Sequence, residues 1–202
     1  MNTLRFLGRF FTMALASALL HEFGQCLSYW FQGIPAGMSL MKEYPLRDIT
    51  EAQYALGLAG GTLSNVVQIF VGGLLVQGSH PYSRLRLWAL ALVLANVCYF
   101  IVSSGIALLS GSGGEFAAVA NLIGVPLQIL LVLFLLASIG SLIWVITIAR
   151  VRVTWARVLQ LPVLVILYVV FLVGIQSLDQ RLFWHRFPTI EIGEGRLHNQ
   201  HR

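Results

Sequence analysis

The stretch from Leu87 to Leu109 reads LWALALVLANVCYFIVSSGIALL, and no charged side chain interrupts it. A helix rises about 1.5 Å per residue, so roughly 20 apolar residues cross the ~30 Å hydrocarbon layer of a bilayer. In lipid every backbone polar group must be satisfied within the protein, and a helix does this inside a single segment. Working outward, comparable runs extend from Tyr54 to Val76 and from Leu4 to Phe31 on one side. On the other side they extend from about Ala117 to Ala149 and from about Val158 to Leu178. The expected fold is all-α, a polytopic transmembrane bundle of about five helices.

Composition agrees. Of 202 residues, 57% are hydrophobic and 10% charged, whereas a soluble domain carries about 25% charged residues. One transmembrane domain over residues 1–178 accounts for the chain, followed by a basic tail at 179–202. The formal charge of +5 comes chiefly from arginines flanking the apolar runs. That placement suits a lipid bilayer with anionic headgroups and not a nucleic acid, since no face interleaves basic and aromatic residues. Arg5, Arg9, Arg84, Arg86, Arg150, Arg152 and Arg157 fall on one side of a five-span chain, which is expected to be cytoplasmic. The tail's Arg181, Arg186, Arg196 and Arg202 fall on the other. The expected location is a cell's inner or plasma membrane.

Residues Ala14-Leu15-Ala16-Ser17-Ala18 behind Arg5 and Arg9 resemble a secretion-signal cleavage region. The apolar run continues through Cys26, Tyr29, Trp30 and Phe31, however, and so reads as a span. Cys26 and Cys98 lie within apolar runs and read as small hydrophobes. Tyr29, Trp30, Phe31, Phe183 and Trp184 read as interfacial anchors, and the tail histidines as part of a solvated terminus. Pro126 removes a backbone donor, so a bend is expected within the fourth run. The connection from Gly33 to Gln53 reads as an irregular interfacial loop, with a short hairpin as the alternative. Gly57 and Gly61 form a small-xxx-small pattern and Gly60 adds another bare patch. They allow close packing against the first helix, or alternatively a homodimer contact. Gly72 and Gly73 read as relief of crowding.

The residues that carry chemistry are His21 and Glu22, a titratable pair inside an apolar run. Ionisable groups within the membrane are costly unless partnered, and are functional candidates by default. One reading makes the pair part of a polar cluster that fastens helices together, with Gln25, Asn65, Asn121 or Gln128 as partners. The other assigns it to the binding of an ion, a peptide segment or a partner.

His21-Glu22-Phe23-Gly24-Gln25 looks like the zinc-protease helix motif His-Glu-x-x-His with glutamine in the last position. In that motif two imidazoles on one helical face grip zinc and the glutamate acts as general base. Ala59-Gly60-Gly61-Thr62-Leu63-Ser64-Asn65 is similar to the Gly-Pro-Leu-x-Asn element of the site-2 protease family of intramembrane metalloproteases. Asn121-Leu122-Ile123-Gly124-Val125-Pro126 resembles that family's Asn-Leu-x-Pro-x-Pro run, which leads into the aspartate ligand. The resemblance covers about residues 4–149 and implies a protease-like core. It would make His21, and weakly Gln25, metal ligands and Glu22 the catalytic base, with zinc as cofactor.

Departures fall on the ligands themselves. Gln25 replaces an imidazole by a poorer donor, and Leu127, Gln128 and Ile129 follow Pro126 with no aspartate. The only acid between Glu51 and Asp179 is Glu115. Catalytic zinc takes three protein ligands, so the expectation is a non-catalytic relative that holds the transmembrane segment of a client protein. The alternative is an active membrane-embedded zinc metallopeptidase with unconventional ligands such as Gln25 or Glu115.

Overall fold

The computed structural model describes residues 3–80, 83–111, 113–148, 155–183 and 192–193. Among them the chain forms helices α1 (Thr3–Phe31), α2 (Glu51–Gly78), α3 (Arg84–Ser110), α4 (Glu115–Ile123), α5 (Leu127–Ile148) and α6 (Trp155–Phe183). Short strands β1 (Ala36–Met38), β2 (Glu43–Pro45) and β3 (Ile49–Thr50) lie between α1 and α2, and β4 (Ile192–Gly193) follows α6. The fold is therefore an all-α bundle.

Four of these helices are long and apolar enough to cross a membrane: α2, α3, α5 and the Pro162–Phe183 part of α6. The protein is an integral membrane protein on that ground. Helix α1 has 29 residues and the length to span, but His21, Glu22 and Gln25 dilute its apolar character.

Local chemistry sets the helix ends. Thr50 caps α2 in a capping box: its hydroxyl accepts from Gln53 N–H, and the Gln53 side chain accepts from Thr50 N–H. Ser83 caps α3 by accepting from Arg86 N–H, and Gly111, left-handed at φ +69°, closes it.

The fourth apolar run is not one bent helix but two. Gly124 adopts φ +68° and ends α4, its N–H and that of Val125 bonding back to carbonyls of the last turn. Pro126 then leads into α5, so a left-handed glycine and a proline two residues later turn the expected bend into a break.

The Gly33–Gln53 connection is also more ordered than an irregular loop. Strands β1 and β2 pair antiparallel in the register Ala36–Pro45, Gly37–Tyr44, Met38–Glu43. Cys26 Sγ and Trp30 Nε1 of α1 donate to Gly37 and Ala36 carbonyls, tying the hairpin to the helix. Asp179, placed by sequence at the head of the tail, lies inside α6, and β3 pairs in parallel with β4. Arg150, Arg152, Trp184, His185, Arg186, Arg196, His198, His201 and Arg202 lie outside the described residues.

Helices α1 and α2 meet through glycine. A Cβ on Gly24 would sit 2.6 Å from the Gly60 carbonyl oxygen, and Gly57 lies under the Tyr29 ring. Ser28 and Ser64 hydroxyls donate across the seam to Leu56 and Leu20 carbonyls at 2.7 and 2.8 Å. The small-residue face of α2 is thus covered by α1 of the same chain. Tyr29 is fully buried there rather than anchored at an interface, while Trp30 and Phe31 are exposed. Gly73 receives the Trp144 ring and Gly72 abuts Val93. One apolar core joins α2, α3, α4 and α5 around Phe100 and Leu131, and a second joins α1, α3 and α6 around Phe10, Cys98 and Tyr168. At one end of the bundle Arg86 donates to the Ser79 and Ile148 carbonyls, and Arg9 stacks over Trp88.

Candidate functional site

Residues 21 and 25 stand four apart on α1 and so share a helical face. That face meets α2 at Gly61, where a Cβ would lie 2.6 Å from His21 Nε2 and 2.7 Å from Gln25 Cγ. Only a glycine leaves room for both side chains. His21, Glu22 and Gln25 are all buried.

Opposite them stands Glu115, the first residue of α4. Its Oε2 lies 3.1 Å from His21 Nε2 and 3.2 Å from Gln25 Nε2, and Gln25 Nε2 lies 2.9 Å from His21 Nε2. Tyr99 of α3 donates its hydroxyl to Glu115 Oε1, and its ring is 5.1 Å from the imidazole. Three side chains from two helices, His21 and Gln25 of α1 and Tyr99 of α3, therefore converge on one carboxylate.

The triangle formed by His21 Nε2, Gln25 Nε2 and Glu115 Oε2 cannot be fully hydrogen-bonded. If the imidazole donates to the carboxylate, it faces the amide as donor against donor. If it accepts from the amide, it faces the carboxylate as acceptor against acceptor. His21 Nδ1 and Gln25 Oε1 have no protein partner although both are buried.

The hairpin adds a third carboxyl, after those of Glu22 and Glu115. Glu43 of β2 is buried and hydrogen-bonded to Glu22, a pairing in which one of the two must carry the proton. Burial pushes the Glu43 carboxyl up to about 7, reinforced by the nearby charge of Glu115.

Beside the centre runs a string of amides and hydroxyls. Ser17 donates to Asn96 Oδ1 at 3.0 Å, Asn96 to Gln68 Oε1 at 3.3 Å, and Gln68 to Asn65 Oδ1 at 3.4 Å. Asn65 is buried, as a cluster member should be, but its partner is Gln68. Asn121 and Gln128 are exposed and stand apart from the centre. The break at Gly124–Pro126 leaves Asn121 in the last turn of α4, where its carbonyl caps the helix.

Sequence reasoning placed His21, Glu22 and Gln25 in the centre, offered Glu115 only as an unconventional ligand of the alternative reading, and missed Tyr99 and Glu43. Glu115 carried a signal, as the lone acid between Glu51 and Asp179. Tyr99 and Glu43 carried none, one lost in an apolar run and the other in a loop rich in polar residues.

The donor set near His21 contains two good zinc ligands, His21 and Glu115, and one amide. Among the described residues no three His, Cys, Asp or Glu side chains are grouped to hold a metal ion. A cavity of about 260 Å³, lined by Ser103, Ile106, Ala107, Gly113, Gly114, Glu115 and Phe116, opens beside Glu115. Comparison of the chain with protein-family models, curated proteins and solved structures finds no match.

Proposed function

We propose that this is a non-catalytic membrane protein built on a core like that of the intramembrane metalloproteases. In this reading the His21 helix serves to lock the bundle, and the bundle holds a client's transmembrane segment. The observation that carries the reading is the use made of Glu115. Its carboxylate accepts from Tyr99 and Gln25 and lies against His21 Nε2, so the groups a zinc centre needs are spent on one another. The pair of good donors also falls short of the three that a catalytic zinc takes. The client is assigned to the apolar flank of α5 and α6, whose membrane-length windows are 22% and 11% buried. Those faces meet lipid or another apolar helix.

One observation favours a second reading, that of a zinc metallopeptidase. The edges of the His21–Gln25–Glu115 triangle, 2.9 to 3.2 Å, are near the roughly 3.3 Å between ligands of a tetrahedral zinc with bonds of about 2.0 Å. With the Gln25 amide turned to present oxygen, the three would hold the ion and Glu22 would stand beside it as base. Zinc in such a site supplies a Lewis acid and lowers the pKa of bound water.

Metal analysis of the purified, detergent-solubilised protein separates the two. The first reading predicts zinc far below one per chain, unchanged in His21→Ala. Stoichiometric zinc lost in both His21→Ala and Glu115→Ala would establish the second.

A further inference from the structure

Asp179 is a carboxylate buried near the C-terminal end of α6, 1% exposed, on a helix that is otherwise largely uncovered. Within the apolar windows, 11% of α6 is buried against 44% for α2 and 50% for α3. Both Asp179 oxygens are engaged, and both by the turn of the β1–β2 hairpin. Ser39 Oγ donates to Oδ2 at 2.7 Å and the Leu40 backbone N–H donates to Oδ1 at 2.9 Å. Tyr44 Oη in turn donates to Ser39 Oγ. Withdrawing either element from the other would strand a carboxylate and a backbone donor at the membrane face, which is costly.

Each element covers a different part of the centre. The hairpin brings Glu43 to Glu22 and lies over Cys26, whose Sγ donates to Gly37. Helix α6 packs Tyr168 over Phe10 and Cys98, in a cluster that Tyr99 also joins. Tyr99 is the hydroxyl donor to Glu115.

We propose that Asp179 clasps the β1–β2 hairpin to α6, so that the two open and close as one cover over the His21–Glu115 centre. The clasp does not depend on whether the centre holds zinc. Asp179 is a positioning residue in this device: it touches neither His21 nor Glu115 and sets where Glu43 and Tyr168 lie.

The two native cysteines report on the two halves, Cys26 beneath the hairpin and Cys98 beneath α6. Their N-ethylmaleimide labelling rates are measured in the detergent-solubilised full chain, each alone with the other changed to Ala. Asp179→Ala is expected to raise both rates about tenfold, the size of effect expected when hydrogen bonds to a buried carboxylate are lost. Ser39→Ala, which alters only the hairpin, is expected to raise labelling of Cys98 under α6 as well. Unchanged rates in Asp179→Ala, or a rise at one cysteine alone, overturn the proposal. Should Asp179→Ala unfold the bundle, Ser39→Ala decides: faster Cys98 labelling supports the clasp, and an unchanged rate refutes it.

Discussion

Glu115 is the side chain on which the polar centre depends most. Replacing it by Ala removes the acceptor for Tyr99 and Gln25 and leaves an imidazole buried beside Glu22 without its partner. Breaking a buried pair by removing one member costs about 3 kcal/mol or more, and Glu115→Ala is expected to lose about that in denaturant unfolding from micelles. Tyr99→Phe, which removes one donor, is expected to lose about 1 kcal/mol. By contrast, Asn121→Ala and Gln128→Ala change exposed side chains and are expected to stay within about 0.5 kcal/mol of the parent. The contrast also marks what could be read in advance. His21, Glu22 and Gln25 announce themselves as polar residues in an apolar helix. The partner of His21 stands 94 residues away, and that juxtaposition is set by the path of α2, α3 and the connection into α4. Asp179 shows the converse: followed by arginines, it reads as the start of a tail, and only the hairpin's position reveals it as buried.

Between elements, the α1–α2 seam rests on backbone approach rather than on large side chains. Gly24→Ala would drive a Cβ into the Gly60 carbonyl and the Ser64 side chain, and backbone cannot give way as a flexible side chain can. The expected cost is about 1–3 kcal/mol, with Gly140→Ala inside α5, where nothing lies within 4 Å, as a control expected to be neutral or slightly stabilising. Unfolding midpoints of the two variants test this. The hairpin responds to pH through Glu43. Its carboxyl holds a proton in the docked state up to about 7, against an ordinary value of 4.5. Between those values the docked form binds more protons than the undocked one, so docking is strongest below the range and is lost as pH rises through about 7. Hydrogen exchange across Ala36–Pro45, corrected for intrinsic rates, is expected to quicken over that interval, and Glu43→Gln is expected to flatten the change. The glycine seam was legible because small-residue spacing is local. The hairpin was legible only as the alternative to an irregular loop, because Met38-Ser39-Leu40 offers too short an alternation to distinguish a strand from a loop.

At the scale of the whole molecule, apolar run length was enough to identify a membrane bundle, since bilayer thickness fixes how long an uncharged helix must be. Run length did not reveal that the fourth run divides at Gly124. The break ends a short helix, α4, whose first residue, Glu115, faces His21 of α1. The His21–Glu115 contact ties the first helix to a short helix at mid-chain, flanked by the Ser17–Asn96–Gln68–Asn65 string. A double-mutant cycle between His21→Ala and Glu115→Ala, read as unfolding free energy in micelles, measures that contact directly. A lock between the two side chains predicts a coupling energy of about 1 kcal/mol or more, whereas losses that add to within about 0.3–0.5 kcal/mol would show that the two residues act independently.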